Sequence, residues 1–204
     1  GVAALERLCA DASSRGLLVL LDVKRGDIGS TSQAYAEAYL SERSSFAIDA
    51  MTVTPYLGVR ALAPMFEAAA ASARGVFVVA RSSNPEGAPI QDARVEGGAD
   101  VVHHVLGEVG RVNAGASGLG SVGVVFGATC ETGGYDLLGF GGPILTPGLG
   151  AQGATVDDIA RRFAGCADRV LPAASRSVLS AGPDVAAMRS AAADLAAACR
   201  QALR

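Results

Sequence analysis

Leu17-Leu-Val-Leu-Leu-Asp22-Val-Lys24-Arg-Gly-Asp27-Ile28-Gly-Ser-Thr31 is an unbroken apolar run that ends in a carboxylate, an amine and a second carboxylate. Strands buried on both faces read as continuous Val/Leu runs, as parallel strands in α/β proteins do. Residues two apart on a strand share a face, so Asp22 and Lys24 point the same way from its C-terminal end. Charges placed there cost free energy unless they are paired or used. An arbitrary Asp-x-Lys reads first as a salt-bridged strand end. Here Asp22, Lys24 and Asp27 cluster around Arg25-Gly26 and lead into small residues and Thr31, and that pattern points to an active site.

Outward from this segment, helical and strand-like stretches alternate. The patterning predicts helices over 2–14, 31–43, 59–73, 95–114, 174–181 and 184–203, and strands over 17–23, 47–54, 75–80, 121–126, 142–146 and 169–172. Repeated βα units with buried strands mean a parallel sheet covered by helices. No GxGxxG follows the first strand, which weakens an open dinucleotide-binding sheet. Lys24, Thr54, Ser83, Thr129, Gln152 and Arg176 stand where strands end, and functional groups spread over many strand ends are the habit of barrels. The expectation is an α/β fold, a TIM (β/α)8 barrel with six βα units present, forming one domain over residues 1–204. A closed barrel needs eight strands and typically about 250 residues, so the first two strands are expected to be missing.

The chain has 204 residues, 50% of them hydrophobic, and a net charge of −3, which suits one domain with a substantial core. The mild acidity and the lack of a basic stripe argue against a nucleic-acid partner. No apolar run approaches the roughly 18 residues that would span a membrane. The N-terminus has neither a basic segment nor an apolar core of the signal-peptide kind. It also lacks Met and starts inside a helical pattern, so a chain cut at its front is expected. Cys9, Cys130, Cys166 and Cys199 are scattered without a CxxC, and read as small apolar residues in a reducing cytosol rather than as a metal or disulfide framework. His103 and His104 are neighbours on a helix, projecting in different directions, and are read as surface and flank residues, not ligands.

Thr146-Pro-Gly-Leu-Gly-Ala-Gln-Gly153 follows a late strand, where barrels often bind phosphate. Its glycines let the backbone turn sharply and bring N–H groups to an anion, and Gln152 adds a neutral donor. After the next strand Ala174-Ser175-Arg176 opens a helix, so backbone N–H groups and a guanidinium are expected to converge. The bland alternative is a pair of ordinary turns with a surface arginine.

Asp22-Val-Lys24-Arg-Gly-Asp27-Ile28-Gly-Ser-Thr31 resembles the D-x-K-x-x-D-I-x-x-T signature of the orotidine 5′-phosphate decarboxylase family. Thr54-Pro-Tyr-Leu-Gly58, Ser83-Asn-Pro85, Val124-Val-Phe-Gly-Ala-Thr129, Pro147-Gly-Leu-Gly-Ala-Gln-Gly153 and Ser175-Arg176 recur there in the same order. Lys-Arg-Gly-Asp-Ile-Gly and Ser-Asn-Pro-Glu-Gly are similar to the longer actinobacterial subgroup. The resemblance implies a (β/α)8 barrel working as a cytoplasmic homodimer, without metal or organic cofactor, on the small molecule orotidine monophosphate. It implies that Asp22 sits by the substrate carboxylate and that Lys24 delivers a proton to the ring carbon. Asp27, Ile28 and Thr31 would reach the neighbouring subunit's site, Ser83 would contact the pyrimidine or its carboxylate, and Gln152 and Arg176 would hold the 5′-phosphate.

The residue types suit that chemistry. Loss of carbon dioxide leaves a carbanionic carbon, which a fixed cation stabilises. An ammonium also carries a transferable proton, as a guanidinium does not. The resemblance further implies two earlier strands, one ending in an aspartate and one in a lysine, that residues 1–16 do not supply; Asp11 lies in a helical stretch. The polypeptide is therefore expected to have poor activity alone. Two other readings stand beside this one: a magnesium-dependent sugar-phosphate enzyme of the same suprafamily, and an inactive relic that binds nucleotide phosphate through Gln152 and Arg176.

Overall fold

The computed structural model describes residues 1–204, and its frame is a parallel sheet in sequence order. Strands β1 (Leu20–Arg25), β2 (Ala50–Val53), β3 (Gly75–Arg81), β4 (Val122–Phe126), β5 (Ile144–Pro147) and β6 (Val170–Ala173) each pair with the next, and β1 and β6 remain its two edges. Helices α1 (Val2–Ser14), α2 (Gly29–Leu40), α3 (Ala63–Ala71), α4 (Ala88–Gln91), α5 (Val101–Asn113), α6 (Val156–Arg162), α7 (Arg176–Leu179) and α8 (Val185–Ala202) precede, connect and follow them. Six consecutive parallel strands are the arrangement the patterning predicts. No helix is long and apolar enough to cross a membrane.

Alternation along the strands sorts side chains into two layers. Met51 and Val53, Val76 and Val78, Val122 and Val124, and Ile144 face the helices and join one large core with Leu40, Leu62, Met65 and Phe163. The intervening residues face the concave side, where Ala50, Phe77 and Val125 pack with Leu20, Val79 and Leu145. The strand register stacks these positions: Leu20 lies beside Ala50, and Ala50 beside Gly75. The apolar inner layer is thereby a floor, and the next residues toward the C-terminal ends stand above it.

Some boundaries differ from the patterning. The first strand starts at Leu20, because pairing with β2 begins there; Leu17 and Leu18 are 61% and 87% exposed. Helix α5 starts at Val101 and not at 95, since Gly97 and Gly98 adopt φ of 94° and 89° and form a turn. Asp100 then caps the helix, accepting from the His103 N–H at 2.8 Å. Helix α6 was absent from the periodic reading, although its capping box is written in the chain: Thr155 accepts from the Asp158 N–H while Asp158 accepts from the Thr155 N–H.

His103 is half-exposed, as expected for a helix flank, yet it has a definite place. One ring nitrogen lies 2.8 Å from Asp100 Oδ1 and the other 2.9 Å from the Gly134 carbonyl. Two acceptors on two nitrogens favour the imidazolium, in which both donate. The Asp100 bond first, and the Gly134 carbonyl second, raise its pKa above the usual histidine value. A raised folded-state pKa means stabilisation that is complete below about pH 6.5 and is lost as pH rises through the folded value. His103→Gln should therefore lose melting temperature relative to the parent at about pH 6, with the gap closing by about pH 9. A gap that is constant across that range in thermal melts would refute the linkage.

Candidate active site

The end of β1 departs from a regular strand where the charges stand. Leu21 pairs with Met51 and Arg25 with Val53, so four residues on β1 advance while two advance on β2. Such an irregularity bends a strand and re-aims its side chains. Within it Lys24 adopts φ of 45°, a left-handed conformation unusual for a residue with a Cβ. Its backbone N–H donates to Thr52 Oγ1 at 2.9 Å, and the Thr52 hydroxyl donates to Asp22 Oδ1 at 2.7 Å. The other carboxylate oxygen, Oδ2, lies 2.5 Å from Lys24 Nζ.

Burial pushes the Asp22 carboxyl up; the hydrogen bonds from Lys24 and Thr52 and the ammonium charge outweigh it, so its pKa falls below the usual carboxylate value. The side chains of Lys24 and Asp22 are 55% and 57% exposed in this chain. Ion pairs so open to water add little stability. The contact is better understood as an arrangement of charge over the floor made by Leu20 and Val79.

Asp22 and Lys24 line one cleft of about 510 Å³ together with Ser83, Gln152 and Arg176. These residues come from strand ends far apart in sequence, which the parallel register brings to one side. Ser83 Oγ donates to Gln152 Oε1 at 3.0 Å, joining the loop after β3 to the loop after β5. The latter turns through Gly148, with φ of 115°, where a Cβ would stand 2.9 Å from Gln152 Oε1. Gly150 N–H donates to the Ala154 carbonyl and Gly153 N–H to the Gly150 carbonyl, which ties the loop without engaging the Ala151 and Gln152 amides.

Arg176 is exposed at the cleft wall and makes no ion pair within the chain. The helix it opens is a single four-residue turn, so the expected convergence of helix amides and guanidinium reduces largely to the guanidinium itself. Two consecutive strand ends thus supply an amide side chain and a cation to one cavity, as the spacing predicts.

Asp27, Ile28 and Thr31 are not brought into this cleft. Asp27 Oδ1 accepts from the Ile28 N–H at 2.8 Å, and Ile28 is 60% exposed. Their loop is held from both sides. Gly26 presses on β2 so closely that a Cβ would meet the Thr54 carbonyl oxygen at 2.5 Å. The Arg25 guanidinium lies 5.5 Å from the Tyr35 ring centroid and 5.9 Å from that of Tyr39, whose hydroxyl accepts from it at 3.3 Å. The loop therefore presents Ile28 outward, while Asp27 is partly buried against its own backbone.

Two supporting residues escape a reading of motifs. Thr52 could have been suspected, being a hydroxyl on the inner face of the otherwise apolar strand Ala50-Met-Thr-Val53. Gln91 carries no such signal. It lies on α4, where its Oε1 accepts from the Ser82 N–H at 3.1 Å and its Nε2 donates to Ser82 Oγ at 2.7 Å. Beside it Arg81 pairs with Asp92. The loop that carries Ser83 is thus gripped from behind. No three His, Cys, Asp or Glu side chains come together as a group that could hold a metal ion.

The profile of the family described as "Orotidine 5'-phosphate decarboxylase / HUMPS family" matches residues 2–191. Proteins named orotidine 5′-phosphate decarboxylase from Salinispora arenicola and Salinispora tropica are 57% and 56% identical over 203 residues. Each alignment covers all of this chain and 73% of the relative, so the chain spans about three quarters of their length. A crystal structure described as an orotidine 5′-phosphate decarboxylase from Streptomyces avermitilis superposes with a TM-score of 0.94 at 47% identity, covering 99% of this chain and 71% of that one.

The grip on Ser82 can be tested without any ligand. Gln91→Leu leaves the Ser82 N–H without its acceptor, which should destabilise the fold by about 1–2 kcal/mol. It should also speed hydrogen exchange at the Ser82 amide. Unchanged exchange there, measured by NMR, would show that Gln91 does not hold the loop.

Proposed function

The chain belongs to the orotidine 5′-phosphate decarboxylase / HUMPS family, and on that footing we propose that Lys24, Asp22 and Asp27 carry its chemistry. By the activity its relatives are named for, the chain carries the site of an orotidine 5′-phosphate decarboxylase, a carboxy-lyase that makes uridine monophosphate in pyrimidine biosynthesis, and the expectation of poor activity for residues 1–204 alone stands beside it. The observation that supports the residue roles best is the contact of Lys24 with Asp22 in the cleft that also holds Gln152 and Arg176.

In the reading put forward here, the substrate's 5′-phosphate lies against Arg176, Gln152 and the open amides of Ala151 and Gln152. Its ring extends toward Ser83 and the Asp22–Lys24 pair. The bond from the ring carbon to the carboxylate breaks, its electron pair stays on the ring carbon, and carbon dioxide leaves. The Lys24 ammonium gives its proton to that carbon, and the neutral amine regains one from solvent. Atoms and charge balance without any metal or organic cofactor.

Asp22 serves twice in this scheme. Its fixed negative charge stands near the departing carboxylate and favours its loss. It also holds the Lys24 ammonium in place through their 2.5 Å contact. Phosphate binding away from the ring supplies binding energy that the reaction can use in the transition state.

Asp27, Ile28 and Thr31 enter through a second copy. The exposure of Ile28 and Thr31, and the absence of all three from their own chain's cleft, support a homodimer in which each subunit's loop completes the partner site. The same reading places the enzyme in the cytoplasm and treats residues 1–204 as a single barrel domain with six of its eight βα units.

Turnover of orotidine monophosphate, followed by loss of ultraviolet absorbance, tests the assignment. Lys24→Ala should abolish turnover while uridine monophosphate still binds. Arg176→Ala should lower kcat/KM by about ten- to a hundredfold, the effect of one charge-assisted contact, mostly through KM. Turnover that survives Lys24→Ala would overturn the role given to that residue.

A further inference from the structure

Thr52 occupies a position that the reaction scheme does not yet use. It is completely buried, a polar side chain in a strand whose other residues are apolar, and its backbone is in register with Phe77 on β3. The hydroxyl is fully committed across to β1. It accepts from the Lys24 N–H at 2.9 Å and donates its one proton to Asp22 Oδ1 at 2.7 Å. A hydroxyl that donates to a carboxylate favours the charged form of that carboxylate. One that accepts from the amide of a left-handed residue holds a conformation which the backbone would otherwise leave.

We propose that Thr52 is a positioning residue for the decarboxylation: its hydroxyl fixes the orientation of Asp22 and holds Lys24 in its left-handed conformation, so that carboxylate and ammonium face the cleft together. Three observations converge on this one atom. The β1–β2 pairing slips between Leu21 and Arg25, which leaves the residues between without their regular ladder partners. Lys24 has φ of 45° in that slip. The Thr52 oxygen replaces the missing ladder acceptor while also binding Asp22, so the backbone of one catalytic group and the side chain of the other share a single anchor. Lys24 is the charged group whose field Asp22 feels, and Thr52 is the neutral one that bonds it.

This proposal rests on Lys24 and Asp22 being the reacting pair, so its test carries readouts that do not depend on turnover. Thr52→Val preserves the branched shape and removes the hydroxyl; Thr52→Ser restores it. Folding of each is checked by thermal melting. In Thr52→Val the Asp22 carboxyl, followed by carbon-13 NMR, should titrate at higher pH, and hydrogen exchange at the Lys24 amide should accelerate. Its kcat should fall by about tenfold or more, as expected for displaced reacting groups, with KM changing much less because the phosphate end is untouched. Thr52→Ser should return all three toward the parent.

A Thr52→Val variant with unchanged Asp22 titration and unchanged Lys24 exchange would overturn the proposal, whatever its turnover. So would a Thr52→Ser variant that behaves like Thr52→Val, since methyl packing would then be the cause. If both NMR signatures change while kcat does not, the anchor exists but does not serve the reaction, and the proposal fails. If the parent and Lys24→Ala turn over equally, the catalytic reading is lost and the positioning role falls with it, while the NMR arms show separately whether the anchor exists.

Discussion

The site depends on one constraint: along six parallel strands every second side chain faces inward, and the register aligns those positions from strand to strand. An apolar tier built from Leu20, Ala50, Phe77, Val79, Val125 and Leu145 fills the lower part of the concave side. The residues that follow it at the C-terminal ends cannot be buried in the same way, and there the chain places Asp22, Lys24, Ser83 and Gln152. Their meeting in one cleft is a consequence of register, which brings the end of β1 alongside the loops that follow β3 and β5. The Ser83–Gln152 bond ties those two loops directly.

Charge is added to this frame at its weakest point. A left-handed lysine in a slipped strand is costly, and its exposed ion pair with Asp22 returns little stability. The arrangement therefore depends on neighbours that are themselves rigid. Thr52 belongs to a fully buried strand, Gly26 fits against Thr54 with no room for a Cβ, and Arg25 is stacked on the tyrosines of α2. Strain at a functional position supported by a well-packed surround is how such conformations persist.

The sheet order was legible because each strand is a compact apolar run between helical patterns, and alternation then dictates which residues share a face. The placing of Asp22 and Lys24 on one face followed from the same rule, although the slip around them did not. A left-handed φ at a lysine leaves no mark in composition, and the grip of Gln91 on Ser82 is a contact between a loop and a helix of only one turn. The apolar pattern runs through Gly97 and Gly98 although they form a turn ahead of α5, and α6 is too short for its periodicity to stand out, although Thr155 and Asp158 write its capping box. Asp27 marks a different limit. Its motif declares a functional residue, but within one chain the side chain serves only its own loop.

That last point bears on how the two ends of the cleft divide their work. Gln152 lies on the loop after β5 and Arg176 at the start of α7 after β6, while Asp22 and Lys24 stand on β1, at the opposite edge of the sheet from β6. A ligand that touches both must span the concave side, with its anion at one end and its reacting carbon at the other. Phosphate contacts alone would bind substrate and product equally well, and uniform binding does not accelerate a reaction. In the proposed reaction, what would distinguish the transition state is the charge growing on the ring carbon as carbon dioxide departs, which the β1 end is placed to sense. Selectivity for the substrate can therefore be strong at Arg176 while acceleration depends on small displacements at Lys24. The hydrogen bonds that fix Lys24 and Asp22 consequently matter more to rate than their modest contribution to stability suggests.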